Sequence, residues 1–207
     1  MSSDRAATCA SALAWVCSSR SCSALYSTSP EDAIRAGVGL VPEDRKQQAL
    51  FLSLAVKTNL SIAAIDRLTR LFGWIDRRAE DAMIERYGDR LAIKMANPEQ
   101  EVGNLSGGNQ QKVVLARWLA LEPKVLIVDE PTRGIDIAAK SEVHQLLFEL
   151  AESGIAIIVI SSELPEIMTV SDRIVTMREG RITGELMAED ASEEKLMALM
   201  SLKQQAA

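Results

Sequence analysis

Cysteine, histidine and aromatic residues are scarce in this chain of 207 residues, and their scarcity excludes several kinds of site. Cys9, Cys17 and Cys22 are the three cysteines, and the rest of the chain has none, which argues against a disulfide framework. A reducing cytoplasm is the simpler interpretation. His144 is the only histidine, and the helical spacing of its apolar neighbours predicts a helix-surface residue rather than a zinc ligand. Because aromatics make up 4% of the chain and hydrophobic residues 47%, the core must be aliphatic.

Long apolar runs and excess positive charge are also lacking. No run approaches the roughly 18 residues of a membrane span, so any link to a membrane must go through a partner. The net charge of −6 and the pI of about 5.0 argue against nucleic acid as the main partner. None of the eight lysines follows a glycine, so the chain contains no phosphate-binding loop of the kind that ends in Gly-Lys-Ser or Gly-Lys-Thr.

Two carboxylates follow the most strongly apolar stretch of the chain. The apolar, mostly β-branched residues 125–128 predict a strand that is buried on both faces. Asp129 and Glu130 come at its carboxyl end, where open α/β sheets place ligands, and Pro131 ends the ladder. Such a pair suits Mg²⁺ beside phosphates and an acceptor that polarises an attacking water. The alternative is an ordinary turn.

A serine and two glycines stand just before a predicted helix. They are Ser106, Gly107 and Gly108, preceded by Leu105. The first amides of a helix have no intrahelical partners and can bind an anion, and glycine lets the backbone approach closely. The sequence therefore predicts an anion-binding loop about twenty residues before the carboxylate pair, with the helix as a crossover between them.

Alternating apolar strands and amphipathic helices predict an α/β fold with a doubly wound, mostly parallel sheet flanked by helices. Strands are predicted at 38–41, 125–128, 155–160, 173–177 and 181–186, and helices at 29–36, in pieces over 56–90, and at 108–121, 137–152, 164–170 and 192–202. Residues 1–28 differ in composition, being rich in Ser, Ala, Cys and Arg. We expect a disordered or poorly packed leader there, and favour it over a signal peptide because Asp4 spoils the charged start.

Five motifs, taken in order, resemble the second half of an ATP-binding cassette (ABC) ATPase. The similarity is specific to simple-sugar importers of the ribose, galactose or xylose type, whose ATPase subunit carries two cassettes in one chain. The matching segments are the Q-loop region at 42–46, the signature motif at 105–110, the Walker B strand at 125–130, the D-loop at 134–136 and the switch region at 161–166. The resemblance implies an incomplete P-loop NTPase-like domain over residues 29–200, with a helical subdomain at about 56–120 and a tail at 201–207.

The resemblance also implies a site for ATP and Mg²⁺. Asp129 would hold the metal through water, and Glu130 would orient the attacking water. Ser162 stands at the position of the switch histidine, and Glu43 at that of the Q-loop glutamine. A serine lacks the charge and reach of histidine, and a carboxylate repels phosphate unless a metal intervenes. Both departures also occur in the second cassettes of sugar importers, and we expect no ATPase activity from this chain alone.

In ABC dimers the signature of one cassette caps the ATP bound to the other. The residues that the resemblance assigns to nucleotide contact are Ser106, Gly107, Gly108, Asn109, Gln110, Asp136 and Glu43. The implied partners are a membrane permease, a cassette with an intact phosphate loop and, indirectly, a periplasmic sugar-binding protein. The implied location is the cytoplasm, on the inner face of the cell membrane.

Two alternatives stay open. A non-transport ABC-type ATPase head, as in DNA repair or chromosome maintenance, would need long coiled coils or zinc modules, and the sequence shows neither heptads nor a cysteine cluster. The other alternative is a non-functional gene remnant, from a truncated gene or a misassigned start. Under each of these interpretations we expect a marginal fold, with apolar sheet surface exposed or a sheet edge unpaired.

Overall fold

The computed structural model describes residues 12–16, 29–70 and 73–201. In this part of the chain six strands form one sheet, in the order β2-β3-β4-β1-β5-β6. The strands are β1 (Ala12–Val16), β2 (Val38–Val41), β3 (Val125–Asp129), β4 (Ala156–Ser161), β5 (Arg173–Arg178) and β6 (Arg181–Met187). Strands β2, β3, β4 and β5 run in one direction, while β1 and β6 run against their neighbours. The predicted α/β class is confirmed.

The helices that surround the sheet begin and end close to the predicted positions. They are α1 (Pro30–Arg35), α2 (Val56–Ser61), α3 (Ile65–Leu68), α4 (Arg77–Arg90), α5 (Gly107–Leu119), α6 (Ile137–Glu152), α7 (Leu164–Val170) and α8 (Glu193–Ser201). Capping residues set the ends of several of these helices. Ser29 caps α1, Asp76 caps α4, and Gly154, with φ of 96°, follows the end of α6. Of the helices in the described ranges, none is both long enough and apolar enough to cross a bilayer.

Strand β1 is the main difference from the predicted fold. Residues 12–16 lie between β4 and β5 and run antiparallel to both, with Ala14 opposite Val159 and Ile174. Because β4 and β5 do not pair with each other, each has a row of backbone groups that β1 satisfies. For these five residues the prediction of a disordered leader is wrong. The rest of the predicted leader, and residues 202–207 of the predicted tail, lie outside the described residues.

The two faces of the sheet are covered unequally. One face packs with α5, α6, α7 and α8 in a single core, and its fully buried residues include Leu126, Val128, Ile157, Val159 and Ile174. On the other face, Leu40, Ile127 and Ile158 lie side by side in register, and Leu40 is 48% exposed. Leu40 is thus apolar sheet surface that stays partly exposed, and the expected marginal fold stays a prediction.

The helices predicted for the helical subdomain pack against one another through polar as well as apolar contacts. The Tyr87 hydroxyl on α4 donates to the Leu119 carbonyl on α5 at 2.9 Å. Arg117 on α5 donates its Nε to the Asn59 carbonyl on α2 at 2.6 Å. Burial lowers the pKa of Arg117 to about 10. These contacts link α2, α4 and α5, and the division into a separate subdomain stays a prediction.

Candidate functional site

The signature loop ends in a serine that caps α5. Ser106 has extended backbone angles, and its Oγ accepts from the Asn109 amide at 3.4 Å and from Asn109 Nδ2 at 2.9 Å. The Asn109 Oδ1 in turn accepts from the Lys94 amide at 2.8 Å. Ser106 is exposed, whereas the Asn109 side chain is engaged on both sides. Asn109 therefore fixes the loop, and Ser106 is the member of the pair that faces solvent.

Gln110, which the resemblance assigns to nucleotide contact, turns into the protein. Its side chain is 4% exposed, and Nε2 lies within 3.2–3.4 Å of the carbonyls of Val102, Gly103 and Leu105. The amide thus holds the loop that leads into the signature. This position differs from the expected one, because a buried amide that donates to its own loop does not reach a ligand in solvent.

The two signature glycines are packed tightly against other parts of the same chain. A Cβ on Gly107 would lie 2.8 Å from Arg45 Nη2 and 3.1 Å from the Gly134 carbonyl oxygen. A Cβ on Gly108 would lie 2.8 Å from the Ala139 Cβ on α6. From the sequence, we expect these glycines to let a phosphate approach the backbone closely. The structure adds a second reason, since only glycine fits between the loop, the D-loop and α6.

The D-loop reaches α6 through Asp136. The Asp136 Oδ1 accepts from the Ala139 amide at 2.9 Å and caps the helix. Just before it, the Ile135 amide donates to the Thr132 carbonyl at 3.2 Å, and Gly134 has a φ of 66°. The turn is therefore compact, and the carboxylate of Asp136, although exposed, is already used as a cap.

Arg45 links the Q-loop region to the D-loop, which the sequence argument missed. Its Nη1 donates to the Arg133 carbonyl at 2.7 Å and its Nη2 to the Gly134 carbonyl at 3.2 Å. Burial lowers the pKa of Arg45, and the charge of Asp44 opposes this shift. Glu43, at the expected Q-loop position, forms an ion pair with the Arg133 side chain. The signal for Arg45 was its place inside the Q-loop motif.

The predicted carboxylate pair lies at the carboxyl end of β3, next to the parallel strand β4. The Glu130 amide donates to the Ile160 carbonyl on β4 at 2.8 Å, and the Glu130 Oε1 accepts from the Ser162 amide at 2.8 Å. Glu130 has a φ of 47°, a strained value for a residue with a side chain. Burial raises the pKa of Asp129, and the charge of Glu130 adds to this. Glu130 therefore contacts the switch position Ser162 through the Ser162 backbone, a contact that the sequence did not predict.

These residues fit only part of a Mg²⁺ site. Asp129 offers one carboxylate at a strand end, and Mg²⁺ completes its octahedral shell with waters and phosphate oxygens. Over the described ranges, no three histidine, cysteine, aspartate or glutamate side chains are grouped as metal ligands. The sequence also contains no Gly-Lys phosphate-binding loop, so these residues by themselves do not make up a complete site for Mg²⁺ and nucleotide.

A buried carboxylate lies behind this pair. Glu166 on α7 is 5% exposed and accepts hydrogen bonds from Thr132 Oγ1 at 2.8 Å, Ser161 Oγ at 2.5 Å and His144 Nε2 at 2.8 Å. Burial alone would raise the pKa of Glu166, but the hydrogen bonds from His144, Ser161 and Thr132 outweigh it and lower the pKa. His144 lies on α6 as predicted, but its side chain is only 18% exposed and bonds to Glu166, which the sequence did not predict.

Comparison with known families places these features in context. Residues 19–133 match the family model described as ABC transporter, which is more than half of the chain. Among curated proteins, the ribose import ATP-binding protein RbsA of Streptococcus agalactiae serotype Ia is 49% identical over 83% of this chain and 35% of its own length. RbsA of Bacillus licheniformis is 45% identical over 82% of this chain and 34% of its own length. The chain thus spans about a third of the length of these relatives.

Solved structures agree on the fold. CbiO1 from Clostridium perfringens, described as part of the ABC transporter complex CbiONQ, has a TM-score of 0.66 at 26% identity, covering 83% of this chain and 66% of its own. MJ1267, an ATP-binding cassette of an ABC transporter, has a TM-score of 0.69 at 21% identity, covering 83% of this chain and 71% of its own. The predicted P-loop NTPase-like architecture is therefore confirmed.

Proposed function

The chain belongs to the ABC transporter family, and on that premise we propose that it acts as an ATP-binding component of an importer for ribose or a related simple sugar. The identity of 49% to a ribose import ATP-binding protein supports the substrate class. The observation that carries the proposal is the signature loop, in which an exposed Ser106 caps the amide-bearing start of α5. That surface suits the capping of a nucleotide that another cassette holds.

Capping requires donors that point away from the chain. Gly107 and Gly108 open the first turn of α5, where a helix leaves its amides without intrahelical partners. These amides and the Ser106 hydroxyl form a positive, hydrogen-bonding surface for a γ-phosphate. The packing of both glycines against Arg45 and Ala139 holds the surface rigidly, and a rigid donor set binds with less loss of entropy.

The nucleotide itself would be held by a second cassette. Phosphoryl transfer depends on positioning and on charge neutralisation by a lysine-bearing loop, and this chain has no Gly-Lys dipeptide. Asp129 and Glu130 would contribute to a metal site and to a water site only when that loop is supplied. The chain alone therefore has no ATPase activity in this proposal.

The permease would contact the apolar loop that follows the Q-loop region. Phe51, Leu52 and Leu54 are exposed there. Asn59, which is fully buried, holds the loop: its Oδ1 accepts from the Phe51 amide at 2.9 Å, and its Nδ2 donates to the Phe51 and Leu54 carbonyls at 3.0 and 3.3 Å. Exposed apolar side chains on a rigid loop favour a protein partner. A permease at this loop would place the chain on the cytoplasmic face of the membrane, with the periplasmic sugar-binding protein reached only through it.

The test is ATP-dependent association with the isolated first cassette of a ribose importer, measured by sedimentation. Ser106→Arg should reduce association at least about a hundredfold, because the long cation fills the phosphate position and removes the cap. Ser192→Arg is the matched control. Ser192 Oγ also accepts an amide three residues on, from Lys195 at 3.3 Å at the start of α8, and the added charge is the same.

Three outcomes would contradict the proposal. They are equal association by both variants, association without nucleotide, and tight ATP binding by the chain alone. Mg²⁺-dependent ATP turnover that purifies with the chain and disappears in Glu130→Gln would show that the chain holds nucleotide by itself.

A further inference from the structure

We propose that Arg45 is a positioning residue that holds the signature loop and the D-loop in one fixed arrangement. This inference rests on the proposed function insofar as that arrangement forms the capping surface. Arg45 does not touch the nucleotide in this proposal, since its side chain is buried and points at the backbone of its own chain.

The guanidinium of Arg45 lies between the two loops. On one side, Nη1 and Nη2 donate to the consecutive carbonyls of Arg133 and Gly134. On the other side, Nη2 stands 2.8 Å from the position that a Cβ on Gly107 would take. A planar group with a fork of donors fixes two neighbouring carbonyls at once, which a flexible ammonium does not. Movement of either loop would therefore break a hydrogen bond or close on the guanidinium.

A second link joins the Q-loop region to the D-loop turn. Glu43, two residues before Arg45, forms an ion pair with the Arg133 side chain, while Arg45 binds the Arg133 carbonyl. Asp44 lies between them, and its Oδ1 accepts from the amides of Lys46 and Gln47 at 3.0 and 3.1 Å. These two hydrogen bonds fix the turn that carries Arg45, independently of the contacts that Arg45 makes with the D-loop.

Arg45 is not arranged for maximal stability, unlike the other buried arginine near it. All three nitrogens of Arg117 donate, to the Asn59 carbonyl, the Ala49 carbonyl and Asn59 Oδ1. In contrast, the Nε of Arg45 is buried without a hydrogen-bond partner among the described residues. Burying a charged group with an unused donor is unfavourable. A residue kept at this position despite that cost is better explained by the geometry that it imposes.

Hydrogen exchange of the chain alone tests the positioning directly. Arg45→Met should speed exchange about tenfold in two peptides together, 103–112 and 130–137, because local opening is no longer opposed by the bridging guanidinium. The matched control is Arg67→Met. Arg67 also donates to two consecutive carbonyls, those of Ala120 and Leu121 at 3.2 and 3.0 Å, but beyond the opposite end of α5. The control should leave both peptides unchanged.

Association with the first cassette of a ribose importer then tests the consequence. Arg45→Met should weaken ATP-dependent association about tenfold, Arg45→Lys about threefold, and Arg67→Met less than about twofold. Full rescue by Arg45→Lys would show that charge alone matters and would overturn the positioning role. Unchanged exchange in Arg45→Met would also overturn it. If exchange rises as expected but the wild type never associates, the inference stands and the proposed function fails.

Discussion

The signature cluster and the carboxylate cluster of this chain lie on opposite sides of one turn, residues 131–136, yet they are built differently. In the signature cluster, glycines fit against Arg45 and Ala139, and an exposed serine caps the helix. In the carboxylate cluster, Asp129 has a raised pKa and Glu130 a strained backbone. The contacts that hold the signature cluster all come from this chain. The carboxylate cluster has a strained residue and a disfavoured charge, and the sequence contains no Gly-Lys phosphate-binding loop to accompany it.

The difference teaches which cluster is held in place by contacts within the chain. A capping surface needs rigid donors, and packing inside one chain supplies rigidity. A carboxylate that is partly buried beside another carboxylate is favoured by an opposing charge, which a bound cation would supply. We therefore expect substitutions in the signature cluster to destabilise the chain, and the removal of charge in the carboxylate cluster to stabilise it.

The largest effect should come from filling the space at Gly108. Gly108→Ala puts a Cβ 2.8 Å from the Ala139 Cβ, and overpacking of this kind costs about 1–3 kcal/mol. Ala139→Gly removes the atom in conflict but costs about 1 kcal/mol of helix propensity. In urea unfolding the double variant should be more stable than the sum of the two single changes predicts. Additive effects would mean that the contact with α6 does not require glycine.

A smaller effect should follow Glu166→Gln, behind the carboxylate cluster. The amide keeps one acceptor but loses the charge that serves three donors, so we expect a loss of about 1 kcal/mol at neutral pH. The pKa of Glu166 is lowered on folding, so its contribution is complete above its ordinary pKa of 4.5 and is lost as pH falls through the lower folded value.

The pH dependence of unfolding provides the measurement. The difference in stability between wild type and Glu166→Gln should be constant just above neutrality and should shrink below about pH 4.5. His144→Gln keeps a side-chain donor and is the comparison for the histidine contact alone. A difference that does not shrink below about pH 4.5 would contradict the assignment of Glu166 as the ionised acceptor of the network.

Periodicity predicted the elements well, because each depends on neighbours in sequence. The helix at 137–152 and the helix at 164–170 have the predicted ends, and the hairpin turns at Glu179 and Gly180, with φ of 50° and 76°. Strand β1 was missed because its pairing partners, β4 and β5, lie more than a hundred residues away. Residues 10–16 are an apolar patch in the sequence. A strand forms at 12–16 because β4 and β5 do not pair with each other and leave a place between them.

The roles of the site residues stay predictions, and the directions of several of their side chains could not be predicted from the sequence. Glu130 accepts from the Ser162 amide, Gln110 turns inward, and neither Arg45 nor Glu166 was assigned a role from the sequence. A motif specifies which residues recur, but the direction of each side chain depends on contacts distant in sequence. Arg45 reaches the Arg133 carbonyl across 88 positions, and no spacing rule reveals that bond.

The smallest effect should come from Asp129→Asn, and its sign is opposite to the others. Burial, followed by the charge of Glu130, raises the pKa of Asp129, so the folded chain binds this proton more tightly than the unfolded chain. Stability therefore falls as pH rises from the ordinary value of 3.8 through the raised value, and the full cost is present at neutrality. Asparagine removes that cost. Asp129→Asn should melt at a higher temperature than wild type at pH 7, and the difference should disappear below pH 3.8.

Asp81→Asn is the control for the loss of one negative charge, because Asp81 is an exposed carboxylate on α4, away from the carboxylate cluster. It should change the melting temperature less than Asp129→Asn does, since an exposed carboxylate stays hydrated in the folded chain. If Asp129→Asn melts lower than wild type at pH 7, the carboxylate makes favourable contacts within the chain. The inference that the carboxylate cluster needs an added cation, in contrast to the signature cluster, would then be wrong.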